Sequence, residues 1–337
     1  MKNMKTRYMG IELENPIIAG ASNMVTDLDK LKAAEENGAA AIIYKSLFEE
    51  QVQLERYQMD ESLSQFDDLH AEMITMHPNI EHAGPQEHLL NLKRAKENLS
   101  IPLIASLNAI NSDTWVEYAK QLAETGVDGL EINFYKTPTD FSRSSEDVEK
   151  DQVAILKEIK KNIKIPVSVK LSSDYSNILS MVKKLDDAGA DAFVLFNSFF
   201  QPDIDINDEK HVKTFSLSKE GDYRQSLRYA GILYDNIKAD ICSSRGVFTG
   251  EDVIKLLLAG SSTVQVVSTL YENGLNHLSK MLKDIDKWMA AKNYDSLDDF
   301  RGKLSKKKLS GDPFVYKRAQ YVDLILHSEE IFSHPRR

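Results

Sequence analysis

The stretch ENGAAAIIYK, residues 36–45, joins the end of a helical segment to an apolar run through a glycine. The same form recurs as ETGVDGLEIN at 124–133, DAGADAFVLF at 187–196 and LAGSSTVQVV at 258–267. A glycine directly after a helix supplies the left-handed backbone conformation that ends the helix. Each of these glycines therefore marks a joint between a helix and the next strand: Gly38, Gly126, Gly189 and Gly260.

The rest of the chain continues this alternation and predicts eight strands separated by amphipathic helical segments. The strands fall near 16–20, 41–45, 101–107, 129–133, 165–170, 192–197, 238–243 and 263–267. Strands that alternate with helices form a parallel sheet, and eight such units over about 250 residues form a closed barrel. The predicted fold class is α/β, a (β/α)8 TIM barrel. An open doubly wound sheet is less favoured, because AGASNM (19–24) lacks the glycine spacing of a dinucleotide-binding turn.

Two connections are longer than a plain barrel needs. Residues 46–100 follow the second predicted strand, and residues 198–237 follow the sixth. Long insertions after barrel strands lie over the active-site face and commonly act as lids or substrate walls. Residues 1–305 are predicted to form the barrel, and residues 306–337 a helical extension that packs on the barrel or on a partner subunit.

The composition predicts a soluble cytoplasmic protein. The chain has 337 residues and a net charge of −10, which disfavours binding to nucleic acid or to an anionic membrane. No apolar run reaches the length of a membrane span, and the N-terminus lacks a signal-peptide pattern. The single cysteine, Cys242, excludes an internal disulfide, and the spacing of the eight histidines predicts no metal site.

Four predicted strands end in a polar residue: Lys45, Asn133, Lys170 and Asn197. In a barrel these strand ends meet at the face where active sites lie. Two ammonium groups and two carboxamides there indicate a site for an electron-rich ligand. Two chemistries stay open: a Schiff-base lyase would use a neutral Lys45 or Lys170 as nucleophile, whereas a flavin or phosphate site would use protonated lysines to stabilise negative charge.

The loops after the seventh and eighth strands form the common phosphate site of such barrels. Here CSSRGVFTGEDV (242–253) offers backbone donors, a guanidinium and a flexible turn, and VVSTLYENG (266–274) offers two hydroxyls. Thr249 is predicted to cap the helix that follows. The candidate phosphate ligands are Ser244, Arg245, Gly246, Ser268 and Thr269.

The loop after the fourth strand, NFYKTP (133–138), places Tyr135 and Lys136 directly after Asn133. Either side chain could exchange a proton with a substrate over the barrel mouth. The alternative is an aromatic wall and a surface lysine.

Seven short segments, from about residue 8 to residue 305, carry a family resemblance. They are ENPIIAGAS (14–22), YKS (44–46), LEIN (130–133), VKLS (169–172), LFNS (195–198), SSRGVFTGEDVIKLLLAGSSTVQVVSTL (243–270) and NYDSLDDFRGKL (293–304). Together they resemble the dihydroorotate dehydrogenase family of FMN-dependent (β/α)8 barrels. The segments are similar, in order, to the family's first strand, its T-K-S, E-L-N, V-K-L-x-P and V-N-S motifs, its flavin-phosphate stretch and its usual ending.

The resemblance implies an FMN-dependent oxidoreductase that acts on a CH–CH bond, such as that of dihydroorotate in pyrimidine biosynthesis. The protein is expected to be a cytoplasmic homodimer. The resemblance places FMN against Gly20, Ala21, Lys45, Ser46, Asn133, Lys170 and Asn197, and substrate against Asn133, Asn197, Ser198 and Met76. A flavin-binding barrel without catalysis stays the third alternative.

The resemblance also has departures, which fall on the substrate side. Lys136 stands where the family has its Cys or Ser base, with Tyr135 beside it. Met73 stands where the family has a substrate-binding Asn, and Arg245 where the family has Gly. The resemblance therefore implies Lys136, Tyr135 and Lys45 as catalytic candidates.

Overall fold

The computed structural model describes residues 2–50, 86–109, 112–135, 139–198, 201–212, 216–309 and 314–328. Its centre is a closed barrel of eight parallel strands. The strands are β1 (Ile17–Ala19), β2 (Ala41–Ile43), β3 (Leu103–Asn108), β4 (Gly129–Asn133), β5 (Val167–Leu171), β6 (Ala192–Leu195), β7 (Asp240–Ser243) and β8 (Thr263–Val266). Each pairs with its neighbour in sequence, and β8 pairs with β1. The predicted (β/α)8 fold is confirmed.

Helices on the outside of the barrel follow each strand in turn. They are α1 (Leu28–Glu36), α2 (Gln86–Asn98), α3 (Ser112–Glu124), α4 (Ser145–Asn162), α5 (Ile178–Asp187), α6 (Arg224–Leu233), α7 (Gly250–Ala259), α8 (Ser268–Asn273) and α9 (His277–Ala291). The four joint glycines all have positive φ, from 86° to 128°. They end helices as the repeated sequence form predicts.

Strand β7 begins at Asp240, two residues after its predicted start, and two further predicted strands also begin two residues late. Both start with Ile-Pro, and the strands begin only after the prolines, at Leu103 and Val167. Proline has no N–H to give to a ladder. Its carbonyl still takes part, because Pro102 O accepts from Ile42 N and Pro166 O accepts from Leu130 N.

The barrel interior has an apolar lower layer, closed by a hairpin that the sequence pattern did not predict. Thr6–Tyr8 and Ile11–Leu13 pair antiparallel. Tyr8 is fully buried and packs with Ile18, Ile43, Ile104 and Val194 inside the barrel. The hairpin is held at the start of β7, where Asp240 accepts a hydrogen bond from Met9 N at 2.9 Å. This lower closure leaves the carboxyl ends of the strands as the open face.

Two aspartates, one just before β4 and one just before β6, connect a helix to the barrel. Asp191 accepts from Val167 N at 2.7 Å and forms an ion pair with Lys160 at 2.5 Å. Asp128 makes the same two contacts, with Leu103 N and Lys96. The side chains are half-buried, so these bonds contribute more than a pair on the open surface.

Replacing Asp191 with alanine is expected to lower the free energy of unfolding by about 1–3 kcal/mol, because the Val167 N–H and the Lys160 ammonium lose their shared acceptor. The matched control is Asp187→Ala, whose carboxylate pairs with Lys183 on the exposed face of α5. That loss is expected to be about 0.5 kcal/mol or less. Urea denaturation measures both, and equal losses would contradict the role assigned to Asp191.

Both long connections contain elements of their own. After β2, Leu47–Phe48 adds a short parallel strand beside the end of β3. After β6, Asp203–Asp205 and Lys210–Val212 form an antiparallel hairpin before α6. The predicted insertions are confirmed where the structure describes them. The residues of the first insertion from 51 to 85, with Met73 and Met76, lie outside the described residues.

The C-terminal extension contains a helix, α10 (Ala319–Leu326). Tyr316 ties the extension to the barrel, since its hydroxyl donates to Leu304 O at 2.7 Å and its ring covers Gly231 of α6. A side chain at Gly231 would meet the Tyr316 hydroxyl at 2.1 Å. The domain division at residue 305 stays a prediction. None of the described helices combines the length and the apolar character that crossing a membrane requires.

Candidate functional site

The carboxyl ends of the strands surround a cavity of about 390 Å³ at the mouth of the barrel. Alternate residues of a strand share one face, so Asn133 and Lys170 extend the inward-facing sides of β4 and β5. They lie opposite each other in the register of the two strands. Asn197, just after β6, donates its amide to Asn133 Oδ1 at 2.9 Å. The strand ends therefore bring these three residues together as predicted.

Most of the other sequence-predicted residues also line this cavity. They are Ala21, Lys45, Ser46, Tyr135, Ser198, Ser244, Arg245, Gly246 and Ser268. They come from the ends of six different strands, which explains why no single sequence motif contains the site. Ser46 is fixed in place by a hydrogen bond between its hydroxyl and that of Ser106, at 2.7 Å.

Two predicted residues lie just behind the lining. Gly20 receives the side chain of Val267, and a Cβ there would meet Val267 Cγ2 at 2.6 Å. The Thr269 hydroxyl is fully buried and accepts from Asn273 at 3.1 Å. Lys136 and Met76 lie outside the described residues.

Lys170 is held by two residues that the sequence reasoning missed. Its Nζ donates to Gln265 Oε1 at 3.3 Å and forms an ion pair with Glu131 Oε1 at 3.5 Å. Gln265 in turn donates to Glu131 Oε2 at 2.5 Å. Their polarity is the sequence signal that could have identified them, because Glu131 and Gln265 are the polar residues inside the apolar runs GLEI and VQVV.

The cavity has a positive charge balance. Lys45, Lys170 and Arg245 line it, and no aspartate or glutamate does among the described residues. Glu131 pairs with Lys170 from behind the lining, so Lys45 and Arg245 are the cations that favour an anionic ligand. Aromatic and aliphatic groups complete the wall, including Phe48, Phe196, Val266 and Tyr271. This combination suits a flat ligand that carries negative charge.

The turn after β7 forms one end of the cavity. Arg245 has φ 77° and Gly246 φ 58°, both in the left-handed region. A Cβ on Gly246 would meet Lys219 O at 2.3 Å, so only glycine fits this close approach of two loops. Arg245 Nε is buried and has no hydrogen-bond partner among the described residues. The predicted cap at Thr249 is confirmed, with a capping box that includes Asp252.

Two titratable groups lie in the barrel below the cavity. Burial raises the pKa of the Cys242 thiol to about 12 and holds the pKa of the Tyr8 hydroxyl well above its usual value. Both groups are therefore neutral at neutral pH. The part of the chain that the structure describes contains no cluster of three potential metal ligands.

Comparison with known proteins identifies the family. The family model described as Dihydroorotate dehydrogenase matches residues 65–289, about two thirds of the chain. The catalytic subunit of dihydroorotate dehydrogenase B (NAD(+)) from Thermoplasma volcanium is 26% identical over 306 residues, which cover 90% of this chain and 98% of that protein. The Thermoplasma acidophilum protein of the same name is 27% identical over 310 residues, 90% of this chain and 99% of that protein.

A relative with a different named acceptor is also similar. Dihydroorotate dehydrogenase A (fumarate) from Lactobacillus delbrueckii is 29% identical over 197 residues, which cover 56% of this chain and 64% of that protein. The family match spans strands β3 to β8 of the barrel. The chain therefore belongs to the dihydroorotate dehydrogenase family of oxidoreductases.

Proposed function

We propose that the cavity binds FMN and that the protein is an FMN-dependent oxidoreductase acting on the CH–CH bond of dihydroorotate or a close relative of it. The observation that carries this proposal is a cavity in a dihydroorotate dehydrogenase family barrel that is lined by Lys45, Lys170 and Arg245 and, among the described residues, by no carboxylate. The volume of about 390 Å³ lies within the range of cofactor pockets.

The donors of the cavity fit the parts of FMN. Arg245 Nε is a buried donor without a partner among the described residues, and Gly246 lines the cavity beside it. With Ser244 and Ser268 they would hold the phosphate. Lys45, Ser46 and Ala21 would hold the ribityl chain and one ring edge, and Lys170 the pyrimidine edge. Gly20 and Thr269 would support these contacts from behind the lining.

Bound FMN would supply a hydride acceptor. Asn133 and Asn197 orient the substrate, and their mutual hydrogen bond fixes both amides before it binds. Ser198 lies on the same side of the cavity, and Met76 would contact substrate from the insertion after β2. As the substrate carbon loses its hydride, Tyr135 or Lys136 takes the proton from the adjacent carbon. Lys170 stabilises the negative charge that develops in the cavity.

The Schiff-base alternative is disfavoured at Lys170. A nucleophilic lysine needs a free amine that can reach a carbonyl carbon, whereas Lys170 Nζ is engaged by Gln265 Oε1 at 3.3 Å and by Glu131 Oε1 at 3.5 Å. The homodimer, the cytoplasmic location and the lack of nucleic-acid binding stay predictions.

Anaerobic mixing with dihydroorotate tests the proposed reaction. The absorbance of the bound flavin is expected to bleach within seconds to minutes and to return when oxygen is admitted. Orotate is expected to appear in an amount equal to the flavin bleached. Flavin that stays oxidised with excess dihydroorotate, and that stays reduced when orotate is added to chemically reduced protein, would contradict this substrate assignment.

A further inference from the structure

One carboxylate lies inside the barrel directly below the cavity. Glu131 is fully buried on β4, two residues before Asn133, and its chain neighbours on the strand are apolar. Its Oε1 lies 3.5 Å from Lys170 Nζ and has no hydrogen-bond partner among the described residues. A buried carboxylate is costly unless it is paired. Its placement under Lys170 therefore calls for a role that an apolar residue could not supply.

Among the described residues, Glu131 is the anionic group that contacts Lys170. From below, Cys242 and Tyr8 are neutral, since burial raises the pKa of both. From above, Lys45 and Arg245 line the same cavity and are cations, and Tyr135 and Tyr271 are its other titratable lining groups. Like charges disfavour the charged form of a lysine, and an opposite charge within about 4–6 Å favours it.

The geometry also directs the ammonium. A lysine ammonium has three N–H donors, and the contacts to Gln265 Oε1 and Glu131 Oε1 take two directions below the cavity. The third is left for a ligand in the cavity that Lys170 lines. Gln265 bonds to both partners, so it fixes the two side chains relative to each other.

We propose that Glu131 and Gln265 are positioning residues that hold the Lys170 side chain in place and aim its third N–H into the cavity. This inference rests on the proposed function, because its measurable consequence falls on bound FMN. Lys170 stabilises the negative charge that reduction adds to the cavity only while one of its N–H donors points there. Glu131 itself does not touch the ligand; it acts through Lys170.

The test compares the midpoint potential of bound FMN in wild type, Glu131→Gln, Lys170→Met and the double variant. Glutamine keeps the shape of Glu131 and removes its charge. The potential of Glu131→Gln is expected to shift to more negative values by at least half of the shift in Lys170→Met. Adding Glu131→Gln to Lys170→Met is expected to shift the potential no further toward negative values, because no lysine is left to position.

Ser168→Ala is the matched control, because Ser168 is buried and lies opposite Glu131 in the strand register without carrying charge. Its potential is expected to equal that of wild type. If Glu131→Gln does not fold, Gln265→Met is expected to shift the potential in the same direction. If the potential of Glu131→Gln or of Gln265→Met is unchanged or more positive than that of wild type, the inference is overturned. The proposal that the cavity binds FMN is not affected by that result. Wild-type protein that binds no FMN would overturn the proposed function and the inference together.

Discussion

Replacing Lys170 with methionine is expected to lower kcat/KM for dihydroorotate by roughly 10²–10³, the cost of removing one preorganised charge-stabilising donor. Lys170 lines the cavity, and its side chain is 9% exposed. Methionine has a similar length and no charge, so the developing negative charge loses one of the cations that line the cavity. Steady-state kinetics measure the effect. The matched control is Lys161→Met, an exposed lysine on α4 that pairs with Glu158, which is expected to leave kcat/KM unchanged.

The same substitution has a separate effect on stability. It leaves the fully buried Glu131 without its cation, which is expected to lower the free energy of unfolding by about 3–5 kcal/mol. Adding Glu131→Gln removes the unpaired charge and is expected to restore most of this stability but none of the turnover. A double variant that recovers both would show that Lys170 acts through folding alone and would contradict its catalytic role.

The second large effect on turnover is expected from substitutions in the loop after β4. One of the two variants Tyr135→Phe and Lys136→Met is expected to lower dihydroorotate turnover by about 10²–10⁴, the usual contribution of a general acid or base. The other is expected to stay within about tenfold of wild type. Tyr135 lines the cavity, and Lys136 stands at the family's base position. Anaerobic single-turnover kinetics separate this step from reoxidation.

The control for this pair lies in the same connection between β4 and α4. Arg143→Met changes an exposed residue that pairs with Asp151 on α4, and its turnover is expected to match wild type. If both Tyr135→Phe and Lys136→Met keep turnover within about tenfold of wild type, neither residue is the base and the assignment fails.

The sequence predicted the fold well because barrel formation depends on local signals. The joint glycines and the apolar runs mark each strand, and the observed strands lie within a few residues of their predicted positions. The hairpin Thr6–Leu13 escaped prediction because its two strands have three residues each, too short to show a period. Its role depends on contacts with β7, far away in the sequence.

The site was predictable where polarity breaks an apolar strand at its end, as at Lys45, Asn133 and Lys170. Glu131 and Gln265 lie within their strands, so whether each faces the barrel interior or the helices depends on register, which a single strand does not reveal. Only the closed barrel brings β8 within reach of β4, and with it Gln265 within 2.5 Å of Glu131. Thr269 was assigned to the cavity from its hydroxyl, yet the start of α8 turns that hydroxyl toward Asn273.

The flavin content of the purified protein tests the central claim most directly. The protein is expected to be yellow and to release FMN on denaturation, identified by chromatography, in a ratio that approaches one per chain. Flavin-free protein is expected to take FMN up again. It is expected to bind riboflavin more weakly, because riboflavin lacks the phosphate that we propose Arg245 and its neighbours bind. Colourless protein that cannot be reconstituted with FMN would contradict the claim that this cavity is a flavin site.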